Sequence, residues 1–236
     1  MDRNSAREVR SRPKVVELEV ETTRERILDV AEEHFRHIGF QKTTVADIAR
    51  CLGMSSANIY RFFPSRMAID ASVCGRFLME SIQVVKSTAC VCGSAQTKLA
   101  KTLTLLHQKR KTTFVEEKRV HDLMVAAAGD NWEINKAHTD EVVAIIEAII
   151  RDGTVSGEFV AEDPGREARS IMIAFTPFYH PVLVEQEVRQ DNDTGARLRD
   201  QIAFFIRALG GSSTDGRHAG NERELAGTAS LRDLIP

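Results

Sequence analysis

The chain has 236 residues, 42% of them hydrophobic and 28% charged, with a formal net charge of −2. That balance fits a globular protein of one or two domains, and four cysteines, at 51, 74, 90 and 92, lack the density and spacing of a disulfide framework. No apolar run approaches the roughly 18 residues of a bilayer-spanning helix and no signal core opens the chain, so no membrane partner is expected and a cytoplasmic location is.

Residues 1–20 are polar, contain Pro13 and show no clean period, which predicts a mobile arm. Arg3, Arg7, Arg10, Arg12 and Lys14 outnumber Asp2 and Glu8 there. Such an arm adds weak attraction to a polyanion, and a solvated tail is the alternative. A first helix is expected from about Thr22, with Glu25 completing a capping box. Ile27, Leu28, Ala31, Phe35 and Ile38 form its inward stripe, and Gly39 ends it. His34 and His37 read as surface residues, because no further metal ligand stands near them.

Val45, Ile48, Ala49 and Leu52 fall at i, i+3, i+4 and i+7 and predict a second helix, opened by Thr44 and Asp47. Cys51 beside this stripe reads as a small core residue. Gly53 can take the left-handed conformation that ends a helix, and Ser55 is a ready cap for a third. Ile59, Phe62 and Phe63 are that helix's inward positions, and Pro64 stops it. Two short helices around a glycine turn are the helix-turn-helix pattern, although an ordinary helical hairpin with a polar face has the same spacing. From Arg36 to Arg66, five basic residues (Arg36, Lys42, Arg50, Arg61, Arg66) face Asp47 alone, so this stretch is locally basic within an acidic whole.

Ser65 opens a fourth helix to about Lys86, with Ile69, Val73, Phe77 and Val84 or Val85 inward. Cys90 and Cys92 are poorly placed to pair with each other and read as loop thiols, with metal binding or redox sensing the alternative. Ser94 starts a helix to about Lys109, with Leu99, Leu103 and Leu106 inward, and Lys109-Arg-Lys-Thr-Thr reads as a solvated connection. A helix over Glu116–Ala128 is broken by Gly129-Asp130-Asn131, with Asp130 or Asn131 capping the next. Val142, Val143, Ile145, Ile146, Ile149 and Ile150 give that next helix a face too broad for the surface, and Asp152–Gly157 reads as a turn. Asp163-Pro164 starts a helix that Pro177 and Pro181 must kink or end. A last helix from about Thr194 carries Leu198, Ile202, Phe205, Ile206 and Leu209, and a glycine-rich linker then leads into a flexible tail, 211–236.

No strand period, phosphate-cradling glycine loop or nucleophile–base arrangement is found, so neither enzymatic activity, a cofactor nor a metal is expected. The expected fold is all-α. A flexible arm (1–20) precedes a three-helix helix-turn-helix head (21–67), a helical ligand-binding and dimerisation body (68–210) and the tail (211–236).

The segment from Thr22 to about Arg66 resembles the DNA-binding domain of the tetracycline-repressor (TetR) family of transcriptional regulators. Three blocks carry the likeness: Arg26-Ile-Leu-Asp-Val-Ala-Glu-Glu-His-Phe ending at Gly39-Phe40, Thr43-Thr-Val-Ala-Asp-Ile-Ala, and Asn58-Ile-Tyr-Arg-Phe-Phe-Pro-Ser-Arg. The resemblance implies a homodimeric regulator, most often a repressor, that binds a palindromic double-stranded DNA operator and is released by a small-molecule effector. It implies phosphate contacts from Thr43 or Thr44, Tyr60 and Arg66, with Ser55, Ser56, Ala57, Asn58 and Arg61 nearest the bases. Phe62 departs from the pattern, since many relatives carry a donor there; its ring is expected to pack instead.

Leu198, Ile202, Phe205 and Leu209 form a stripe with no obvious partner inside a small body and are the expected dimer interface. The ligand candidates are Phe114, His121, Met124, Trp132, Phe175, Phe178, Tyr179 and His180, gathered around a helix that its prolines open; for each, plain core is the alternative. A dimeric DNA-binding regulator controlled by a protein partner, without small-molecule input, is the second reading.

Overall fold

The computed structural model describes residues 12–89, 93–130, 132–190 and 193–210. These form ten α-helices and one short 3₁₀ turn, Phe40–Lys42. Residues 1–11 of the expected arm, Cys90, Cys92, Asn131 and the tail 211–236 lie outside the described residues. The chain divides into two compact units, Met1–Cys74 and Gly75–Pro236.

The first unit holds α1 (Arg12–His37), α2 (Val45–Cys51), α3 (Ser56–Ile59) and the start of α4 (Arg66–Ala89). Ile27, Phe35, Ile48, Ile59, Phe63 and Ile69 are its most buried large side chains. The spacing of the sequence stripes therefore holds, with four differences. Helix α1 already runs from Arg12, so residues 12–20 are helical rather than an arm; Pro13 sits in the first turn, where a missing N–H costs little. Ile38 lies past the end of α1 and is 46% exposed, off the inward stripe. Cys51, the last residue of α2, is exposed, with its Sγ 3.4 Å from His34 Nε2, and is not core. The third helix is also a single turn, and Tyr60–Phe62 continue it only as turns. Pro64 disfavours helical backbone at Phe63, which shortens the segment.

The second unit holds the rest of α4, α5 (Ala95–Glu116), α6 (Lys118–Gly129), α7 (Glu133–Val155), α8 (Pro164–Tyr179), α9 (Pro181–Arg189) and α10 (Thr194–Ala208). Its core joins Leu99 and Leu103 of α5, Val142 and Ile146 of α7, and Phe175 of α8. Helix α5 runs straight through Lys109–Lys111, so this basic run is not a connection, and Arg110 is buried. Helix α7 starts after Trp132 without a side-chain cap, so Asp130 does not serve as one. It continues to Val155, which makes Asp152 and Gly153 helical; Phe159 and Ala95 close on the bare Cα of Gly153. Asp163 accepts from Arg166 N–H at 3.0 Å and caps α8. Pro177 lies in the last turn of α8, and Pro181 opens α9 after a one-residue break at His180.

The expected dimer stripe is overturned. Leu198, Ile202, Phe205 and Leu209 are each under 5% exposed within this one chain, because α10 lays them against α5 and α8. Helical spacing fixes which residues share a face, and it leaves open what covers that face. The large apolar side chains that α8 and α10 leave exposed are Ile173 (75%) and Phe204 (56%). Among the described residues, no helix is long and apolar enough to cross a membrane, and no cluster of His, Cys, Asp or Glu could hold a metal ion.

Candidate functional sites

In the first unit, local capping fixes the polar surface. Thr44 Oγ1 accepts from Asp47 N–H at 3.1 Å, and the Asp47 carboxylate accepts from Thr44 N–H at 3.0 Å and from its hydroxyl at 2.6 Å. These bonds from Thr44, aided by the Arg50 charge, hold the Asp47 carboxyl below its usual range. Gly53 turns the chain at φ +65°, a conformation that a Cβ would strain. Met54 N–H then closes on Ala49 carbonyl at 2.9 Å. Ser55 Oγ accepts from Asn58 N–H at 3.2 Å and starts α3.

Ser55, Ala57, Tyr60 and Arg61 are exposed on that segment, and Ser56 and Asn58 are half-buried. Thr44 is exposed beside them, as are Lys42 and Arg50. A short helix N-terminus presenting hydroxyls, an amide and a guanidinium, flanked by cations, suits base edges and phosphate oxygens. Phe62 is half-buried, and its carbonyl accepts from Arg24 Nη1 at 2.7 Å. The Arg24 guanidinium lies 4.3 Å over the Phe63 ring, so α1 pins the end of the segment that α3 begins. Sequence reasoning missed Arg24, since an arginine on a helix flank looks like any solvated one.

Two expected phosphate contacts are corrected. Thr43 is 1% exposed and its hydroxyl donates to Gly39 carbonyl at 3.0 Å. Arg66 bonds Asp70 through Nε at 2.7 Å, Thr43 carbonyl through Nη1 and Phe40 carbonyl through Nη2, beneath the Phe35 ring. Each of its three nitrogens is committed within the fold. Burial raises the Asp70 carboxyl, and the Arg66 bond opposes that push.

The second unit carries a cavity of about 520 Å³ between α5, α7 and α8. Three of the expected ligand residues line it: Trp132, Tyr179 and His180. Arg110, Asn135, His138, Thr139, Met172 and Thr176 line it as well, with Lys136, Asp140 and Ile173 at exposed positions. Phe114, His121, Met124, Phe175 and Phe178 do not, and they are corrected. The helical turn sends Met172, Thr176 and Tyr179 to the cavity, while Phe175 and Phe178 stack in the core. His121 instead bonds Glu185 at 2.9 Å and meets the Phe114 ring edge-on, and Met124 sulfur lies 2.9 Å from Arg110 Nη1.

The cavity's electrostatics are unusual. Seven buried side-chain polar atoms have no hydrogen-bond partner among the described residues, and five belong to cavity residues: Arg110 Nε, Trp132 Nε1, His138 Nε2, Tyr179 Oη and His180 Nδ1. The Arg110 guanidinium lies 4.6 Å over the Tyr179 ring, and the His138 imidazole stacks on the same ring. Burial, with Arg110 adding to it, drops His138 to about 3 and also lowers His180, so both are neutral near pH 7. Burial pushes the Tyr179 phenol up, against the pull of Arg110, and keeps its proton. A signal for Arg110 and His138 was present: Arg110 extends the Leu99–Leu103–Leu106 stripe by i+4, and His138 stands four residues before Val142 on the buried stripe of α7.

Fold and surface together define an all-helical DNA-binding regulator, with a helix-turn-helix head and a body that holds a cavity. Residues 27–69 match the family model for bacterial regulatory proteins of the tetR family, and residues 95–198 match the tetracyclin repressor-like C-terminal domain. The two matches cover more than half of the chain, which belongs to the TetR family of transcriptional regulators. No curated protein matches it.

Solved structures share its fold. A TetR-family regulator from Pectobacterium atrosepticum superposes with a TM-score of 0.59 at 14% identity, over 82% of this chain and 93% of that one. RolR in complex with its ligand resorcinol gives 0.58 at 15%, over 83% and 91%. SmeT, the repressor of the Stenotrophomonas maltophilia multidrug efflux pump SmeDEF, gives 0.55 at 20%, over 80% and 91%.

Proposed function

We propose that this regulator is a homodimeric repressor whose hold on a palindromic operator is released by a small molecule bound in the cavity of the second unit. The observation that carries the reading is the cavity of about 520 Å³, five of whose lining residues (Arg110, Trp132, His138, Tyr179 and His180) carry a buried polar atom without a close hydrogen-bond partner among the described residues, the Tyr179 hydroxyl having only Arg110 beside it. Buried polar groups are nearly always satisfied, and leaving one unmade costs about 1–3 kcal/mol. A ligand that meets several of them at once has an affinity and an orientation built in. RolR with resorcinol and the repressor SmeT support this reading by analogy of fold.

In the head, Ser55, Ser56, Ala57, Asn58 and Arg61 meet the bases, and Thr44 and Tyr60 the phosphates. The dimer forms through the outward faces of α8 and α10, where Ile173 and Phe204 stand exposed. Trp132 and Asn135, on either side of the α7 start, flank Ile134, whose side chain would stand 3.2 Å from a Cβ on Gly75 of α4. Lys86 of α4 also pairs with Glu141 of α7 at 2.5 Å. A ligand that shifts the start of α7 therefore bears on α4, the helix through which the chain enters the head. The shift in operator affinity can be no larger than the ligand's preference for one state over the other.

The test is footprinting of the full-length protein on genomic DNA. The expected result is an inverted repeat whose half-sites lie about 34–36 Å apart, one helical turn. A single unrepeated half-site contradicts the dimer and its operator.

A further inference from the structure

Arg110 is the one buried cation in the cavity. It is 7% exposed, has no carboxylate partner among the described residues, and is held by a sulfur and by the ring and hydroxyl of Tyr179, all of them neutral. An unpaired buried charge is disfavoured by several kcal/mol, so a group that brings the missing negative charge gains what a neutral ligand cannot. The other orphaned atoms add no second charge. Trp132 Nε1 is a donor only and Tyr179 Oη can donate. Lys136 and Asp140 lie at exposed positions on the lining and carry opposite charges. One fixed positive charge with neutral donors around it fits a monoanion and does not fit a cation.

The rest of the lining defines the other end of the molecule. Ala128, Met172, Ile173 and Pro181 are apolar, and the Trp132 and Tyr179 rings offer flat faces. A volume of about 520 Å³ lies within the ~300–1,000 Å³ typical of sites that enclose a drug-sized molecule.

We infer that the effector is a small organic monocarboxylate with an apolar, ring-bearing or aliphatic body, its carboxylate seated on Arg110. The inference rests on the cavity being the effector site, and it names the chemical class that site takes. Arg110 is then the residue that sets specificity: a guanidinium fork holds a carboxylate by two parallel bonds, and such charged bonds contribute about 1.5–3 kcal/mol. Tyr179 and Trp132 position the body of the ligand.

The experiment uses the full-length protein and three acids (3-phenylpropionate, 4-phenylbenzoate and decanoate), each beside the primary amide of the same skeleton. Binding is read by calorimetry and by the emission of Trp132, the chain's single tryptophan and a cavity residue. At least one acid is expected to bind about tenfold or more tightly than its amide. Arg110→Met should remove that preference, lowering acid affinity by about tenfold while leaving the amide within about twofold. Arg110→Lys should keep a weaker preference for the acid, since the charge stays and the fork is lost. If Arg110→Met loses its helical circular dichroism, Arg110→Gln takes its place. Amides that bind as tightly as acids overturn the inference and leave the cavity as an effector site, and so does an acid preference that survives the loss of the guanidinium. Silence from both series, in heat and in Trp132 emission, overturns the inference together with the proposed function.

Discussion

The head and the body differ in where polar groups lacking a close partner gather: one buried atom, His34 Nδ1, in the head, and five on the residues lining the body cavity. In the head, Thr44, Asp47, Ser55, Arg24 and Arg66 each find a partner inside the fold, and what stays exposed is a polar and cationic surface. In the body, a broad apolar core surrounds a cavity on which five lining residues each keep one buried polar atom without a close partner among the described residues. On the proposed function, the contrast matches what each region does. A surface that reads a rigid polymer needs side chains fixed in advance, and satisfied caps and pinned arginines provide that. A cavity for a diffusing molecule needs bonds left open for it.

The largest effect belongs to the body core. Phe205→Asp buries an unpaired carboxylate among Leu99, Ile146 and Phe175's cluster and should abolish folding of the body, a loss of more than about 4 kcal/mol. Phe204→Asp, one residue away on the exposed side, should leave a folded protein that sediments as a monomer. Sedimentation and circular dichroism of the pair separate the core face of α10 from its docking face; a folded Phe205→Asp monomer would restore the inner stripe as the interface.

Next comes the head scaffold. Arg66→Ala removes bonds to Asp70, Thr43 and Phe40 and leaves a largely buried carboxyl. Urea unfolding should show a loss of about 2–3 kcal/mol, with weaker DNA binding as a consequence. Unchanged stability with lost DNA affinity would return Arg66 to the phosphate-contacting set.

The body also predicts a pH effect. The folded-state value of His138, about 3, lies below its ordinary 6.5, so the unfolded chain binds the extra proton. Stability contributed by the neutral imidazole is present above pH 6.5 and lost as pH falls towards 3. Between pH 7 and pH 5 the loss is about 2 kcal/mol from this residue. Chemical unfolding of wild type and His138→Gln at both pH values should show the smaller drop in the variant; equal drops would place the proton elsewhere.

Smallest in energy are the surface contacts. Arg61→Ala should alter base preference by about 1–2 kcal/mol at one position, whereas Tyr60→Phe should weaken specific and random DNA alike. Competition binding with randomised operators distinguishes the two.

These outcomes also show how far the sequence could be read. The head was legible because its signals are local: Thr44 with Asp47, Gly53 and Ser55 lie within a few residues of what they bond. Arg66 and Thr43 were misassigned because their partners, Phe40 carbonyl and Gly39 carbonyl, are main-chain atoms that no side-chain pattern announces. In the body, helix spacing gave the stripes and not their neighbours, so the α10 face was placed at the surface when α5 and α8 cover it. The same blindness put Phe175 and Phe178 in the cavity and left out Arg110, which a charge-based reading assigned to solvent although the α5 stripe points to it.

The central claim is that the open bonds of the body cavity control the closed, pre-set surface of the head. It is tested most directly by the dissociation constant for the protein's own footprinted operator, measured with and without a saturating carboxylate that shifts Trp132 emission. A two-state regulator coupled by about 1–3 kcal/mol should lose about 5- to 150-fold in operator affinity when the cavity is filled. Equal constants with the cavity demonstrably occupied would contradict it.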